Sequence, residues 1–431
     1  MNRRAFVTIL SGSLLSAPLA GEAAESLAGR SLRLLALFPT IPMLVFVLHA
    51  ILFGRWIADD AGISFAYARN LATGHGLVSQ PGATPVEGYS NFLWVLLMAM
   101  FFHIGVFHVV WTPKIVACIL TAGSFLTVTN TLARAPSWGP GIARIALILV
   151  ALQPAFVIWY ISGLENSLYV FLLSLLMAGS AKLLTAPKPA QSTTIFRGMV
   201  AAGVAATRPD GALYVPLIPI VFAVRACMAR DVRPWLGALA SYGVTAATLL
   251  GVLAGFRWWY FHDLFPNTYY MRMRPVPFGS ILWLLPDTVG KLRDLCEAIA
   301  GYRATTWLLV IVFAGTVFLA AIRQFPPILA VLAMFSAFSG LAYLLLPLDW
   351  RGEYRFASPF FLFFYTYITA LAWSLCALTR RAQTRRRWTF AIVVVLLVAG
   401  TLIHVAQRSV AFAYNPTVPL ASCRRILRPS L

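Results

Sequence analysis

The chain has 431 residues, of which 60% are hydrophobic and only 11% are charged. Its repeated apolar runs of about 17 to 25 residues have the length of a helix that crosses a bilayer. Backbone polar groups in lipid must be satisfied within their own segment, so these runs predict an all-α, polytopic transmembrane helical bundle and exclude membrane strands. The net charge of +20 comes from Arg and Lys in short loops between the runs. That pattern follows the positive-inside bias, so it argues against nucleic acid and leaves membrane lipids as partners.

The first 33 residues precede the first predicted span. Residues 1–23 have a basic start, an apolar core and small residues, which is typical of a secretory signal. If residues 5–20 crossed the membrane, every later loop would change side, against the distribution of Arg. We therefore interpret residues 1–33 as a non-crossing extension or a misassigned start, residues 34–410 as the transmembrane domain, and residues 411–431 as a tail.

Apolar periodicity predicts about twelve spans, in a range of roughly 11 to 13. They cover residues 34–54, 92–110, 115–133, 142–160, 166–184, 195–207, 211–226, 236–257, 307–322, 327–346, 357–378 and 389–407. Two full crossings at 92–110 and 115–133 would put the next loops on the wrong side, so one is expected to be re-entrant or in-plane, unless the two form one irregular crossing. Residues 280–300 contain Pro286 and are charged on one face, which predicts a helix on the outer surface.

The acidic residues lie almost entirely on one side of this predicted topology. The loops rich in Arg and Lys are expected to be cytoplasmic. Among the 14 acidic residues, Glu22 and Glu25 fall in the N-terminal extension and Asp231 in a cytoplasmic loop, and the other 11 lie at the outer face. Carboxylates contribute little to topology, so this asymmetry indicates recognition or chemistry at the outer face.

Two adjacent carboxylates, Asp59 and Asp60, open the first outer loop, residues 55–91. Asp60 alone would suit the first turn of a helix, where the helix dipole favours a carboxylate. Two neighbouring carboxylates disfavour double ionisation unless a cation or a hydrogen-bond network stabilises them. One of the pair is therefore a candidate general base.

Four further outer loops carry polar side chains, at residues 162–166, 207–211, 261–275 and 348–356, and aromatic residues lie among them in the last two. Such mixtures suit a sugar, and the forked guanidinium of Arg suits a phosphate. The alternative is an aromatic belt at the membrane interface, which we prefer for Trp258, Trp259 and Trp350. The candidate binding residues in these segments and the first loop are Arg69, Glu87, Tyr89, Asn91, Glu165, Arg208, Asp210, Asn267, Tyr269, Tyr270, Asp349 and Arg355.

The order of "DDAGISFAYARNLATGHGLVSQPGATPVEGYSNFLW", "SGLENSLY", "TRPDGALYVP", "FHDLFPNTYY" and "DWRGEYRFASP" resembles integral-membrane glycosyltransferases of the C-type fold. It is similar to the aminoarabinose transferase and protein O-mannosyltransferase group, and closer to the mycobacterial terminal arabinofuranosyltransferase branch. The resemblance covers roughly residues 34–370. Relatives often show "DDAxISFRYARNL", whereas this chain has Ala66, so Arg69 or Arg355 would have to supply a phosphate contact.

The resemblance implies transfer from a polyprenyl-phosphate sugar to a hydroxyl of an envelope glycan, lipid or protein at the periplasmic face of the bacterial inner membrane. It implies Asp59 as the base with Asp60 as its partner, and the reverse assignment stays open. The expected reaction is one inverting displacement at the anomeric carbon. No cofactor is certain: a divalent cation between carboxylates and phosphate would suit the chemistry, but no His-rich or EF-hand spacing is present.

Two other functions compete with this one. A transporter or flippase of a lipid-linked or anionic substrate could bind it with the same Arg and Asp residues. Transporters place ionisable residues near mid-span and often contain inverted repeats. The predicted spans here are nearly free of charge and no repeat is visible, which favours the transferase. A scaffold for envelope assembly would leave Asp59 and Asp60 with a capping role alone.

Overall fold

The computed structural model describes residues 39–135, 138, 140–228, 232–272, 281–346 and 354–378, together with four positions between 399 and 409. Within these ranges the secondary structure is helical, and no β-strand occurs. The all-α prediction is confirmed. The helices are α1 (Thr40–Leu52), α2 (Asp59–Ala72), α3 (Phe92–His103), α4 (Trp111–Leu132), α5 (Pro140–Leu152), α6 (Pro154–Tyr160), α7 (Asn166–Thr185), α8 (Gln191–Thr207), α9 (Leu217–Met228), α10 (Arg233–Phe261), α11 (Asn267–Arg272), α12 (Ile281–Ala300), α13 (Tyr302–Ala321), α14 (Pro327–Leu345) and α15 (Ser358–Leu378).

Seven helical segments in the described ranges are long and apolar enough to cross a membrane, and α5 with α6 forms an eighth if the pair is one broken span. These segments make the chain an integral membrane protein. The seven are α4, α7, Pro209–Cys227, α10, α13, α14 and Arg355–Leu378. The predicted span at 389–407 lies almost wholly outside the described residues, as do the N-terminal extension and the tail.

The helices found at the two predicted spans 92–110 and 115–133 differ in length. Helix α4 has 22 residues, whereas α3 has 12 and reaches only about 18 Å, short of the about 30 Å hydrocarbon core. Helix α3 packs along α2, and the Phe107 ring returns to within 5.1 Å of the Phe65 ring. Phe107 also stacks on Phe102, with the ring centroids 3.8 Å apart, so the chain folds back near the end of α3. The helix is shorter than the span expected over 92–110, and its path as a re-entrant, in-plane or irregular segment stays a prediction.

The continuous helix expected over 142–160 is interrupted, because α5 and α6 are bent by 76° and form either one broken span or a re-entrant segment. Pro154 has no N–H to continue the helix and disfavours helical geometry in the residue before it. Gln153 accordingly takes an extended conformation with φ −74° and ψ 115°. The break aims α6 at the end of the bundle where the chain also enters α2, since the Ala58 amide donates a 2.8 Å hydrogen bond to the Ser162 carbonyl.

Helix α15 forms the centre of the bundle. Every residue from Ser358 to Leu371 is buried, which requires a helix that is apolar on all sides. Helices α5 and α14 pack against it, and α13 and α7 make further contacts. Other helices, such as α1 and α10, carry exposed apolar side chains, a surface that suits contact with lipid.

The loop after α2 is fixed to α10 by a hydroxyl. The Leu77 amide donates a 2.9 Å hydrogen bond to the Tyr260 hydroxyl, and Gly76 passes so close to that oxygen that an added Cβ would overlap it. Gly76 has φ +83°, and Gly74 has the same φ but open space around its Cα hydrogens. A comparison of substitutions at the two glycines therefore separates the effect of backbone strain from that of steric overlap.

We expect Gly76→Ala to lower stability more than Gly74→Ala. Both substitutions force an L-residue to a positive φ, at about 1–2 kcal/mol. Only Gly76→Ala also displaces Tyr260 and its hydrogen bond, which adds about 1 kcal/mol. Thermal unfolding of the detergent-solubilised variants measures the difference, and equal losses would show that Tyr260 does not fix this loop.

Candidate active site

A cavity of about 490 Å³ opens at the end of the bundle where α2, the segment before α3, the start of α7 and the residues before α15 meet. These parts come from widely separated stretches of sequence, and the apolar helices hold their ends together. Apolar side chains of α2, α14 and the turn after α8 line part of the wall. The polar lining residues are Asp60, Ser64, Tyr89, Ser90, Asn91, Glu165, Arg208, Asp210, Thr268 and Arg355.

Glu165 lies at the centre of the polar wall and is 2% exposed. Its Oε1 accepts from Arg208 Nη1 at 3.3 Å and from Arg355 Nη2 at 3.1 Å, and its Oε2 accepts from Asn91 Nδ2 at 2.8 Å. Burial favours the neutral acid, but the guanidiniums of Arg355 and Arg208 outweigh it and hold the pKa of the Glu165 carboxyl below its usual range. Glu165 is therefore an ionised counter-ion for both arginines.

Arg208 follows the last residue of α8 in an extended conformation, which the following Pro209 favours. Its guanidinium also grips Asp210 with two bonds, Nε to Oδ1 at 2.9 Å and Nη2 to Oδ2 at 3.3 Å. The rings of Phe356 and Tyr169 lie 4.7 Å and 5.1 Å from the guanidinium carbon. These contacts fix the side chain, and only 4% of Arg208 is exposed.

Arg355, which lies just before α15, belongs to the same wall and is 7% exposed. The preceding Tyr354 has φ 55°, a left-handed turn that redirects the chain. The Arg355 carbonyl accepts from Ser358 Oγ at 2.7 Å and from Asn166 Nδ2 at 3.3 Å. Its Nη1 lies 3.5 Å from Asp60 Oδ2, which is longer than the other ionic contacts described in this wall.

The two adjacent aspartates have different positions. Asp59 and Asp60 both belong to the first turn of α2. The Asp60 carboxylate lines the cavity with a third of its side chain exposed. Asp59 does not line this cavity, and its Oδ1 accepts the Asp60 amide at 2.7 Å. Of the two carboxylates, Asp60 is the one that faces the cavity, and the choice of base between them stays a prediction.

Glu87 belongs to a separate ion pair and does not line the cavity. Its carboxylate pairs with Arg257 of α10, with Oε2 2.8 Å from Nε and Oε1 3.0 Å from Nη2. Its carbonyl accepts the Asn267 amide at 3.0 Å. Burial raises the pKa of the Glu87 carboxyl, and Arg257 offsets part of that rise. Glu87 therefore joins α10 and α11 to the segment that carries Tyr89 and Asn91.

The remaining predicted binding residues lie away from the cavity wall or cannot be placed. Arg69, in the last turn of α2, does not line the cavity, so Arg355 is the better of the two phosphate candidates. Asn267 and Tyr270 are exposed, and the Tyr270 hydroxyl lies 3.4 Å from Asp263 Oδ1. Tyr269 lies in α11 beside Thr268, which does line the cavity. Asp349 lies outside the described residues.

Several residues of the site escaped sequence analysis. Ser64 Oγ donates to Asn91 Oδ1 at 3.1 Å, and it could have been found because it lies one helical turn after Asp60 on the same face. Nothing in the sequence marks Phe356, Tyr169 or Arg257 as part of a site, since aromatic residues and single arginines are common beside membrane spans. Trp258 and Trp259 are exposed, in keeping with an aromatic belt.

No cluster of three or more His, Cys, Asp or Glu side chains that could hold a metal ion occurs among the described residues. The three carboxylates of the cavity instead alternate with guanidiniums: Arg355 touches Asp60 and Glu165, and Arg208 touches Glu165 and Asp210. The wall is thus an ion-pair chain.

No protein-family model matches the chain, and no curated protein matches it by sequence. Among solved structures, it is similar to the crystal structure of ArnT from Cupriavidus metallidurans bound to undecaprenyl phosphate. The identity is 12%, the TM-score is 0.51, and the match covers 91% of this chain and 76% of that chain. The likeness confirms the GT-C-like fold predicted from the sequence. At this identity it shows the fold alone.

We expect Glu165→Gln to lower the free energy of unfolding by about 3 kcal/mol, because it leaves two buried guanidiniums without their shared counter-ion. Tyr169→Phe is the matched control: it removes a neutral hydroxyl that lies 3.2 Å from Asp210 in the same buried region, at about 1–2 kcal/mol. Denaturant unfolding of both variants in detergent measures the difference. A smaller loss for Glu165→Gln than for the control would contradict the role of Glu165.

The same carboxylate predicts a pH dependence. Because its pKa is lower in the folded protein than the ordinary 4.5, its stabilisation is complete above about 4.5 and is lost as pH falls towards the folded value. The wild type should lose stability in that acid range more steeply than Glu165→Gln does. Parallel curves for the two proteins would show that Glu165 is not ionised in the fold.

Proposed function

We propose that this chain is an integral-membrane glycosyltransferase that moves a sugar from a polyprenyl-phosphate-linked donor to a hydroxyl of a cell-envelope acceptor at the extracytoplasmic face. The observation that carries the proposal is the pairing of Arg208 and Arg355 on Glu165, beside the Asp60 carboxylate, in one cavity of about 490 Å³. Two fixed guanidiniums suit a phosphate leaving group, and a neighbouring carboxylate suits a general base.

A lipid donor is supported by the apolar part of the wall. Ile63, Leu213 and Leu345 line the cavity and are also exposed at its edge, so a path of apolar surface leads from the arginines to the surrounding lipid. A polyprenyl chain could follow this path while its phosphate reaches Arg208 and Arg355. The similar ArnT structure, which contains undecaprenyl phosphate, supports the same class of ligand.

In the proposed reaction, the acceptor oxygen attacks the anomeric carbon as the bond from that carbon to the phosphate oxygen breaks. The bonding electron pair leaves with the polyprenyl phosphate, and the acceptor proton passes to Asp60. Arg208 and Arg355 stabilise the charge that develops on the phosphate. A single displacement of this kind inverts the configuration at the anomeric carbon.

Donor binding would also change the surroundings of Asp60, because the contact between Arg355 and Asp60 is long. At 3.5 Å this contact is at the limit of a hydrogen bond, so a donor phosphate can replace Asp60 as the partner of Arg355 at little cost. Moving a cation away from a carboxylate makes that carboxylate more basic. Donor binding would thus make Asp60 a stronger base.

The transporter alternative gains no support from the described charges. The ion-pair chain of Asp60, Arg355, Glu165, Arg208 and Asp210 lies at one end of the bundle, where α7 begins and α8 ends. A transporter would place its binding groups near the middle of the spans, between two gates.

The decisive comparison is Asp60→Asn against Asp59→Asn, its neighbour outside the cavity. With a panel of polyprenyl-phosphate sugars and mixed acceptors, we expect the wild type to release polyprenyl phosphate, Asp60→Asn to be slower by about 10²–10⁴-fold, and Asp59→Asn to stay within about tenfold of wild type. Release is measured by chromatography of extracted lipid. Equal rates for all three proteins would remove Asp60 from the mechanism, and no release by folded wild type with any donor would favour the transporter.

A further inference from the structure

A buried arginine far from the cavity has no counter-ion in the described part of the chain. Arg197, in α8, is 5% exposed, and its Nη1 is fully buried without a hydrogen-bond partner. No ion pair joins it to any carboxylate in the described ranges. Burying a charge without compensation is strongly unfavourable, so such a group calls for a partner.

Arg197 lies towards the other membrane edge. Its side chain crosses α7 at Gly179, where a Cβ would lie 3.1 Å from Nε and 3.3 Å from Cγ, so the glycine makes room for the guanidinium stem. Gly179 follows Glu165 by 14 residues, which places it about 21 Å along the helix axis from the cavity. The guanidinium therefore belongs to the opposite end of the bundle.

This end of the bundle is strongly basic. Between Asn166 and His262 the only acidic residues are Asp210, which pairs with Arg208 at the cavity, and Asp231, which lies outside the described residues. Lys182 is exposed one turn beyond Gly179. Arg225 donates from Nη2 to the Ala186 carbonyl at 2.6 Å, just after the end of α7, and its guanidinium lies 5.0 Å from the Trp235 ring. These neighbours increase the need for an anion.

We propose that Arg197 binds the phosphate of an anionic phospholipid headgroup at the membrane edge opposite the cavity. The planar guanidinium fork matches two phosphate oxygens, and basic groups near a membrane surface attract anionic lipid. Ile195, Phe196 and Met199 of α8 are exposed apolar residues in the same turns, on faces of the helix other than that of Arg197, where acyl chains would pack. The headgroup supplies the counter-ion that the described chain lacks.

The test uses the full-length protein in delipidated detergent. Phosphatidylglycerol, phosphatidylcholine or inorganic phosphate is added back to the wild type, Arg197→Leu, the control Lys188→Leu on the same basic end, and Asp231→Asn. We expect phosphatidylglycerol to raise the unfolding temperature of the wild type and Lys188→Leu by roughly 2–4 °C, and to leave Arg197→Leu unchanged. Without lipid, Arg197→Leu should be at least as stable as the wild type, because it removes an uncompensated charge.

Three results would overturn the proposal. An equal rise in Arg197→Leu would place the lipid elsewhere. The same rise with inorganic phosphate alone would replace the lipid with a free anion. A loss of stability shared by Arg197→Leu and Asp231→Asn before lipid is added would identify an ion pair within the chain. Should Arg197→Leu fail to fold, native mass spectrometry of Arg197→Lys decides: it should retain less phosphatidylglycerol than the wild type, and equal retention would contradict the role of the guanidinium.

Discussion

The organisation of the candidate site depends on one buried carboxylate. Glu165 neutralises two arginines that are themselves almost inaccessible, and these come from the end of α8 and the start of α15. Each arginine also contacts a second carboxylate, Asp210 or Asp60, and Glu165 is the one that they share. The same carboxylate accepts from Asn91, which in turn bonds Ser64 of α2. Four distant segments therefore meet because one charge must be compensated, and the donors that face the cavity are fixed before any ligand arrives.

The apolar helices decide where that charge lies. The 76° break at Pro154 and the short α6 return the chain to the mouth of the bundle, where Glu165 precedes α7. The short α3 packs along α2, and Asn91, just before α3, bonds Ser64 of α2. The break at Pro154 and this hydrogen bond bring polar segments to one end of the bundle, where fixed charges meet an apolar route to lipid.

Much of this arrangement was predictable from the sequence, and the rest depends on side-chain directions. The lengths of the apolar runs predict the helices, and the acidic residues on one side of the predicted topology indicate the end at which the motifs meet. The sequence could not separate Asp59 from Asp60, because adjacent residues differ only in the way that the first turn of α2 directs them. It also could not show that Glu87 pairs with Arg257, which lies 170 residues away in another helix. Pro154 is itself a sequence signal for the bend, but the apolar run on both sides of it predicts one continuous helix.

The central claim is that a lipid phosphate binds Arg208 and Arg355 and releases Asp60 from its ion pair. The most direct measurement is an experimental structure, by electron cryomicroscopy in a lipid nanodisc, with undecaprenyl phosphate bound. We expect phosphate oxygens within hydrogen-bonding distance of both guanidiniums, and a separation between Arg355 Nη1 and Asp60 Oδ2 greater than the present 3.5 Å. A phosphate bound away from the two arginines, or an Arg355–Asp60 pair that persists beside it, would contradict the account.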